Sequence, residues 1–206
     1  INAVHMEPRA CNSPKRTAVI ICIIIAATTA GIGIISAPVT AQTSEAPVCN
    51  NVSYDGSGTD SDPYIINTVS QLQCIGNNQL DGQNTDDRYQ LNSDINATST
   101  SNWNNGSGFE PIKPFTGRFD GSGYEIRGLT VDRGDSQNVG LFGSATAPIY
   151  NTTVSEANIS GGEATGALVG DYTGTIEQAE VIRSDISGGS STGGMIGVLD
   201  GTVRSS

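Results

Sequence analysis

The feature that most constrains this chain is a short glycine-bounded apolar motif that returns at a fixed interval. Its last glycines are Gly143, Gly170 and Gly197, each 27 residues from the next. Between them apolar residues fall on apolar residues and glycine pairs on glycine pairs, without a gap. A looser unit precedes them, with apolar residues in analogous places but one residue out of step. The predicted repeat core consists of Leu141, Ile149, Val154, Ile159, Leu168, Ile176, Val181, Ile186, Met195 and Val203.

Short alternating segments fill each repeat, and no repeat offers a stretch with helical periodicity. Short strands broken by glycines, at a period of 20–30 residues, predict an all-β protein with a parallel β-helix fold and 27-residue rungs. A single repeat cannot bury its own apolar face, so we expect rungs to stack about 4.8 Å apart. Such stacking places Ile149 over Ile176 over Val203. Gly166 and Gly170 are expected to provide the positive-φ corners between rungs.

Residues 1–41 have the features of an export signal. Three basic residues precede the uncharged stretch 17–35, and small residues occupy the −3 and −1 positions before Gln42. We predict a secretory signal peptide cleaved between Ala41 and Gln42. The apolar stretch is long for a signal peptide, so an uncleaved N-terminal anchor is the alternative, and the only membrane contact we expect. Either arrangement places the remainder outside the cell.

From residue 42 onward the chain is strongly acidic, with seven basic and twenty acidic residues and hence a net charge of −13. A surface of this charge repels nucleic acid and anionic lipid. Thirteen of the acids are aspartates and only one of the basic residues is a lysine, a composition that suits high salt. We therefore expect a soluble acidic surface and a halophilic source.

Cys49 and Cys74 are the cysteines of the exported part. Two cysteines in an exported chain favour a disulfide, which would close a loop of about 25 residues and contribute roughly 3 kcal/mol. Two buried free thiols are the alternative.

We divide the exported chain into a tether (42–54), an N-terminal cap with the first strands (55–118) and the solenoid repeats (119–206). Within the cap we predict a strand at residues 64–66. Thr68 and Gln71 have capping-box spacing, which predicts one or two helical turns. Trp103 is expected to pack against the cap.

Four segments of the chain carry a family resemblance: "GSGTDSDPYIINTVSQLQCIG", "YQLNSDINATSTSNWNNGSGFEPI", "FTGRFDGSGYEIRGLTVDR" and "VGLFG". Over about residues 55–206 the chain resembles the GLUG-motif surface proteins of bacteria and haloarchaea. The resemblance implies a parallel β-helix in a secreted or surface-anchored, adhesin-like protein. Lys113 and Met195 depart from the motif pattern. The family has no agreed catalytic residues, so none are transferred to this chain.

Catalytic chemistry has little support in the sequence. The one histidine, His5, precedes Met6, the presumed start, which disfavours catalytic triads and zinc sites. Asp120, Asp132 and Asp135 could form a glycosidase cluster, but such enzymes need two carboxylates facing each other across a groove. Asp-Gly at Asp120 is first a turn signal, and the other two look solvated. We therefore expect no enzyme activity.

The sequence also offers a possible calcium site and several possible N-glycosylation sites. Asp55, Asp60 and Asp62 could bind calcium, although Ile66 stands where an EF-hand loop has its glutamate, and an Asx turn explains the segment equally well. No other cofactor is expected. The candidate N-glycosylation sites are Asn51, Asn96, Asn105, Asn151 and Asn158.

Val203 occupies a core position three residues before the last residue, and an open rung needs a cap. We therefore expect further repeats or domains in a longer protein. The expected function is an extracellular, non-enzymatic structural or adhesion module that binds cell-surface glycans or proteins. The alternatives are a fragment of a β-helical polysaccharide-processing enzyme and a passive module of a larger secreted peptidase.

Overall fold

A computed structural model describes residues 45–75 and 84–205. The predicted signal segment and its cleavage position between Ala41 and Gln42 lie outside these ranges. None of the helices within them has the length and apolar character needed to span a bilayer.

The described residues form a parallel β-solenoid of about five turns, as the sequence predicts. Their strands, β1 to β16 in chain order, belong to four sheets that run along the solenoid axis. The six-stranded sheet contains β1 (Tyr64–Ile66), β2 (Arg88–Leu91), β4 (Arg118–Asp120), β8 (Ile149–Tyr150), β12 (Thr175–Glu177) and β16 (Thr202–Arg204). The four-stranded sheet contains β3 (Ile95–Asn96), β5 (Glu125–Arg127), β9 (Thr153–Ser155) and β13 (Glu180–Ile182). The two three-stranded sheets contain β6 (Thr130–Asp132), β10 (Asn158–Ser160) and β14 (Asp185–Ser187), and β7 (Phe142–Ala145), β11 (Val169–Tyr172) and β15 (Ile196–Leu199).

The predicted stacking of Ile149, Ile176 and Val203 is confirmed. Ile149 pairs with Ile176, and Ile176 with Val203, in parallel register. The column continues towards the N-terminus through Phe119, Tyr89 and Tyr64. Ile149 and Ile176 are fully buried, whereas Val203 is 44% exposed because β16 has a neighbouring strand on one side only.

The other predicted core positions also stack in register. Val154 pairs with Val181 in the four-stranded sheet, and Ile159 pairs with Ile186 in a three-stranded sheet. The third set lies just before β7, β11 and β15. There Leu141 and Leu168 are fully buried, and Met195 is partly buried against the same core.

The rungs differ in length although their columns stay in register. Paired residues are 27 positions apart from Ile149 to Ile176, but 30 apart from Phe119 to Ile149. Most of the difference lies in one turn. Seven positions separate Phe119 from Ile126, whereas five separate their partners on the next rung, Ile149 and Val154. Additional residues are therefore accommodated in the turns and do not displace the strands.

The prediction that Gly166 and Gly170 form positive-φ corners is wrong. In the turns that precede β7, β11 and β15, the non-glycine residues with positive φ are Asn138, Ala164 and Ser191, with φ of 57°, 57° and 61°. The two glycines are needed for close approach instead. A Cβ at Gly170 would lie 2.5 Å from the backbone nitrogen of Val139, and one at Gly166 would lie 2.7 Å from the carbonyl oxygen of Met195.

The N-terminal part is held by a capped helix and a disulfide. Helix α1 (Val69–Gln73) begins with the predicted capping box, in which the Gln71 N–H donates to the Thr68 hydroxyl at 3.2 Å and the Thr68 N–H donates to the Gln71 side chain at 3.1 Å. The predicted disulfide between Cys49 and Cys74 is present. Trp103 is 3% exposed in the 3-10 segment Thr98–Gly106 and packs in the core, as expected.

Candidate functional site

The three carboxylates considered for glycosidase chemistry are not brought together by the fold. Asp120 lies in the six-stranded sheet, whereas Asp132 ends a strand of a three-stranded sheet and Asp135 follows in a turn. One oxygen of Asp120 accepts hydrogen bonds from the Ser122 N–H at 2.8 Å and the Asn151 amide at 3.2 Å. These bonds give Asp120 a role in a turn, with no facing carboxylate from the other two residues.

Of the three aspartates considered for calcium binding, Asp60 has a side-chain partner, whereas Asp55 and Asp62 are engaged through their backbone carbonyls. The Asp60 carboxylate pairs with Arg88 at 2.7 Å. The backbone carbonyl of Asp62 accepts the N–H groups of Ser57 and Thr59, which closes the loop as a turn. Across the two described ranges, no three acidic, histidine or cysteine side chains cluster in a way that could hold a metal ion.

Four of the five candidate glycosylation asparagines are exposed: Asn51, Asn96, Asn105 and Asn158. Asn151 is half-buried and its amide donates to Asp120, so its side chain is already engaged. Glycosylation of the exposed four stays a prediction.

The outside of the six-stranded sheet carries a line of polar side chains. Side chains alternate along a strand, so the residues next to the buried column point to solvent. In register from β2 to β16 they form a line that we call the outer stripe: Gln90, Asp120, Tyr150, Glu177 and Arg204. Arg88 and Arg118, which are also directly paired in register, flank its N-terminal end.

The arginines along the outer stripe differ in how they are neutralised. Arg88 pairs with Asp60 and also donates to the backbone carbonyl of Asp86 at 2.9 Å. Arg204 lies 3.4 Å from a carboxylate oxygen of Glu177. The guanidinium of Arg118 lies over the ring of Tyr150, 4.7 Å from its centroid, and has no acidic partner within 4.0 Å among the described residues.

A shallow depression of about 90 Å³ opens beside these arginines. Its lining includes two arginines, two aspartates and one glutamine, and consists of Asp60, Pro63, Arg88, Tyr89, Gln90, Arg118 and Asp120. Such groups can donate hydrogen bonds to, and accept them from, a polar ligand.

The groups whose pKa is shifted lie outside this depression and do not suggest acid–base catalysis. A hydrogen bond from Arg127, 2.7 Å away, lowers the pKa of Glu156, and the same bond raises the pKa of Arg127. Burial raises the pKa of Tyr54 and of Tyr172. All four shifts move the group away from neutral pH, whereas a general acid or base works best with a pKa near the operating pH.

Sequence periodicity alone did not identify the outer stripe. Its five positions carry five different residue types, so they do not recur as the apolar column does. Their alternation with the buried column is the signal that could have located them, once the longer interval from Phe119 to Ile149 was known.

No protein-family model matches the chain. It is 44% identical over 120 residues to halomucin of Haloquadratum walsbyi, an alignment that covers 56% of this chain and 1% of halomucin. It is 36% identical over 92 residues to a protein of Evansella cellulosilytica named "Putative Gly-rich membrane protein", covering 43% of this chain and 10% of that protein. The chain therefore spans a small fraction of either curated relative.

Among solved structures, a Bacteroides ovatus protein described as a "putative immunoglobulin A1 protease" matches with 20% identity and a TM-score of 0.49. The match covers 73% of this chain and 50% of that one. A likeness at this level says nothing about function.

Proposed function

We propose that this chain is an extracellular, non-enzymatic module of a cell-surface protein, which uses a rigid β-solenoid to display side chains and loops for adhesion. The observation that carries the proposal is the 44% identity to halomucin over 120 residues, a relative whose name denotes a mucin. The second relative, named as a membrane protein, supports a location at the cell envelope. Membership of the GLUG-motif group is part of the same proposal.

The architecture suits display. Rungs stacked in register hold outward side chains at a regular spacing of about 4.8 Å along the axis. The outer stripe follows this spacing over five strands, from β2 to β16. A ligand that extends along the axis could therefore contact several rungs at once.

Two assays on the secreted protein test the proposal together. The first measures binding to a glycan array and to intact cells, and the second measures release of reducing sugars from the glycans that bind. Adhesion predicts binding without turnover. Release of reducing sugar at a rate proportional to protein concentration would show a polysaccharide-processing enzyme instead, and absence of binding to both glycans and cells would refute adhesion.

A further inference from the structure

We propose that the N-terminal end of the outer stripe binds a carboxylate-bearing sugar, the uronate unit of an acidic polysaccharide, with Arg118 as the residue that receives the carboxylate. The inference rests on the proposed adhesion function, for which it names the ligand class and the site.

Arg118 is an exposed cation with unused hydrogen-bonding capacity. Its guanidinium stacks on Tyr150 and makes no hydrogen bond or ion pair to another described residue. A guanidinium has five N–H donors in one plane, and stacking fixes that plane without consuming the donors. Asp120, two residues along the strand, makes no ion pair within 4.0 Å with Arg118; one of its oxygens accepts hydrogen bonds from Ser122 and Asn151 instead.

The neighbouring rung makes this position favourable for an anion. Arg88 and Arg118 are direct partners across the parallel strands β2 and β4. Like charges in opposite positions destabilise a sheet, and Asp60 relieves the repulsion only at Arg88. A ligand carboxylate at Arg118 would give this guanidinium a direct ion-pair partner, and the planar fork of arginine binds a carboxylate through two parallel hydrogen bonds.

The remaining groups of the depression fit the hydroxyl groups of a sugar. Gln90, whose side-chain amide donates to the Ser122 hydroxyl at 2.9 Å, lines the same depression as Asp60 and Asp120. The side-chain oxygens of these three residues can accept hydrogen bonds from sugar hydroxyls. The volume of about 90 Å³ corresponds to roughly three water molecules, room for the edge of one sugar ring.

The overall charge of the exported chain decides the conditions of the test. A net charge of −13 repels an acidic polysaccharide at long range, whereas the contact with Arg118 acts at short range. At about 0.15 M ionic strength the Debye length is about 8 Å, so distant repulsion is largely screened while a direct contact is retained. Binding is therefore to be measured at this ionic strength.

Calorimetry on the secreted protein, with short oligomers of galacturonate, glucuronate and mannuronate, tests the inference. Each oligomer is paired with its methyl ester, which keeps the sugar and blocks the carboxylate. We expect at least one free acid to bind about tenfold or more tightly than its ester, and Arg118→Gln to weaken that binding by about tenfold or more. Arg118→Lys keeps the positive charge but loses the planar fork of donors, so its affinity for the acid should lie between those of wild type and Arg118→Gln.

The matched control is Arg183→Gln, which removes an exposed arginine at a turn after β13, away from the outer stripe. It should leave binding unchanged, and circular dichroism verifies that every variant keeps its β structure. Equal binding of acids and esters, no binding of any acid, or full binding by Arg118→Gln would each overturn the inference. Binding of neutral glycans together with failure of every free acid to bind would overturn the inference but leave adhesion intact. Reducing-sugar release would overturn the adhesion proposal while leaving the carboxylate site standing.

Discussion

The same substitution, valine to alanine, should lower the free energy of unfolding by very different amounts at two positions of the solenoid. Val154 is fully buried between Ile126 and Val181 in the four-stranded sheet, whereas Val203 is 44% exposed on β16. For Val154→Ala, the lost burial of two carbon groups costs about 1.6 kcal/mol, at about 0.8 kcal/mol for each. A cavity of about 50 Å³ adds about 1.2 kcal/mol, at about 24 cal/mol per Å³. The total is about 3 kcal/mol.

For Val203→Ala, roughly half of the transfer contribution applies and no closed cavity forms, so we expect less than about 1 kcal/mol. Urea unfolding followed by circular dichroism measures both free energies of unfolding, and the two variants control for each other because the chemical change is the same. Amide hydrogen exchange adds a local measurement. Because each rung is stabilised mainly by its neighbours, Val203→Ala on β16 should reduce protection in β16 and change it little in more distant rungs. Equal costs for the two variants would refute the view that stability comes from side chains stacked between two neighbouring rungs.

Three further predictions concern other parts of the molecule. Replacing both Cys49 and Cys74 by serine should lower the free energy of unfolding by roughly 3 kcal/mol, because the disulfide closes a 25-residue interval; urea unfolding of oxidised wild type and variant checks this. Gly170→Ala should cost about 1–3 kcal/mol, because the new Cβ meets backbone atoms, whereas Gly194→Ala, with no atom within 4 Å, should change stability by less than about 0.5 kcal/mol in the same assay. The lowered pKa of Glu156 contributes stability that is complete above the pKa of the unfolded chain, about 4.5, and is lost as the pH falls through the folded-state value. Acid titration of Glu156→Gln should therefore show a weaker loss of stability below about pH 4.5 than wild type, and an identical titration curve would contradict the assigned ion pair.

The apolar columns could be predicted because their residues recur in kind. Ile149, Ile176 and Val203 share one chemistry at one interval, so a sequence period translates directly into a stack. The extension of that stack to Phe119 and Tyr89 could not be predicted in this way, because the intervals there are 30 residues and the side chains are aromatic. The core tolerates this change because aromatic and aliphatic side chains fill the same buried space.

The glycines and the outer stripe show where the sequence misleads. Recurrent glycine suggests a positive φ, yet at Gly170 the requirement is space beside the backbone of Val139. The left-handed positions before β7, β11 and β15 are occupied by Asn138, Ala164 and Ser191, which share no obvious side-chain property. Outward residues such as Tyr150 change in type from rung to rung, so the recurrence of residue types does not reveal them, and only their alternation with the buried column does.

The turn between β4 and β5 has a practical consequence for engineering. It already holds two residues more than the equivalent turn between β8 and β9, and the strands on either side keep their pairing. Gly123, within it, has open space around its α-carbon. A short foreign peptide grafted at this position would project from a defined rung of the solenoid, at a known distance along its axis from β1. The solenoid could therefore present epitopes at chosen positions.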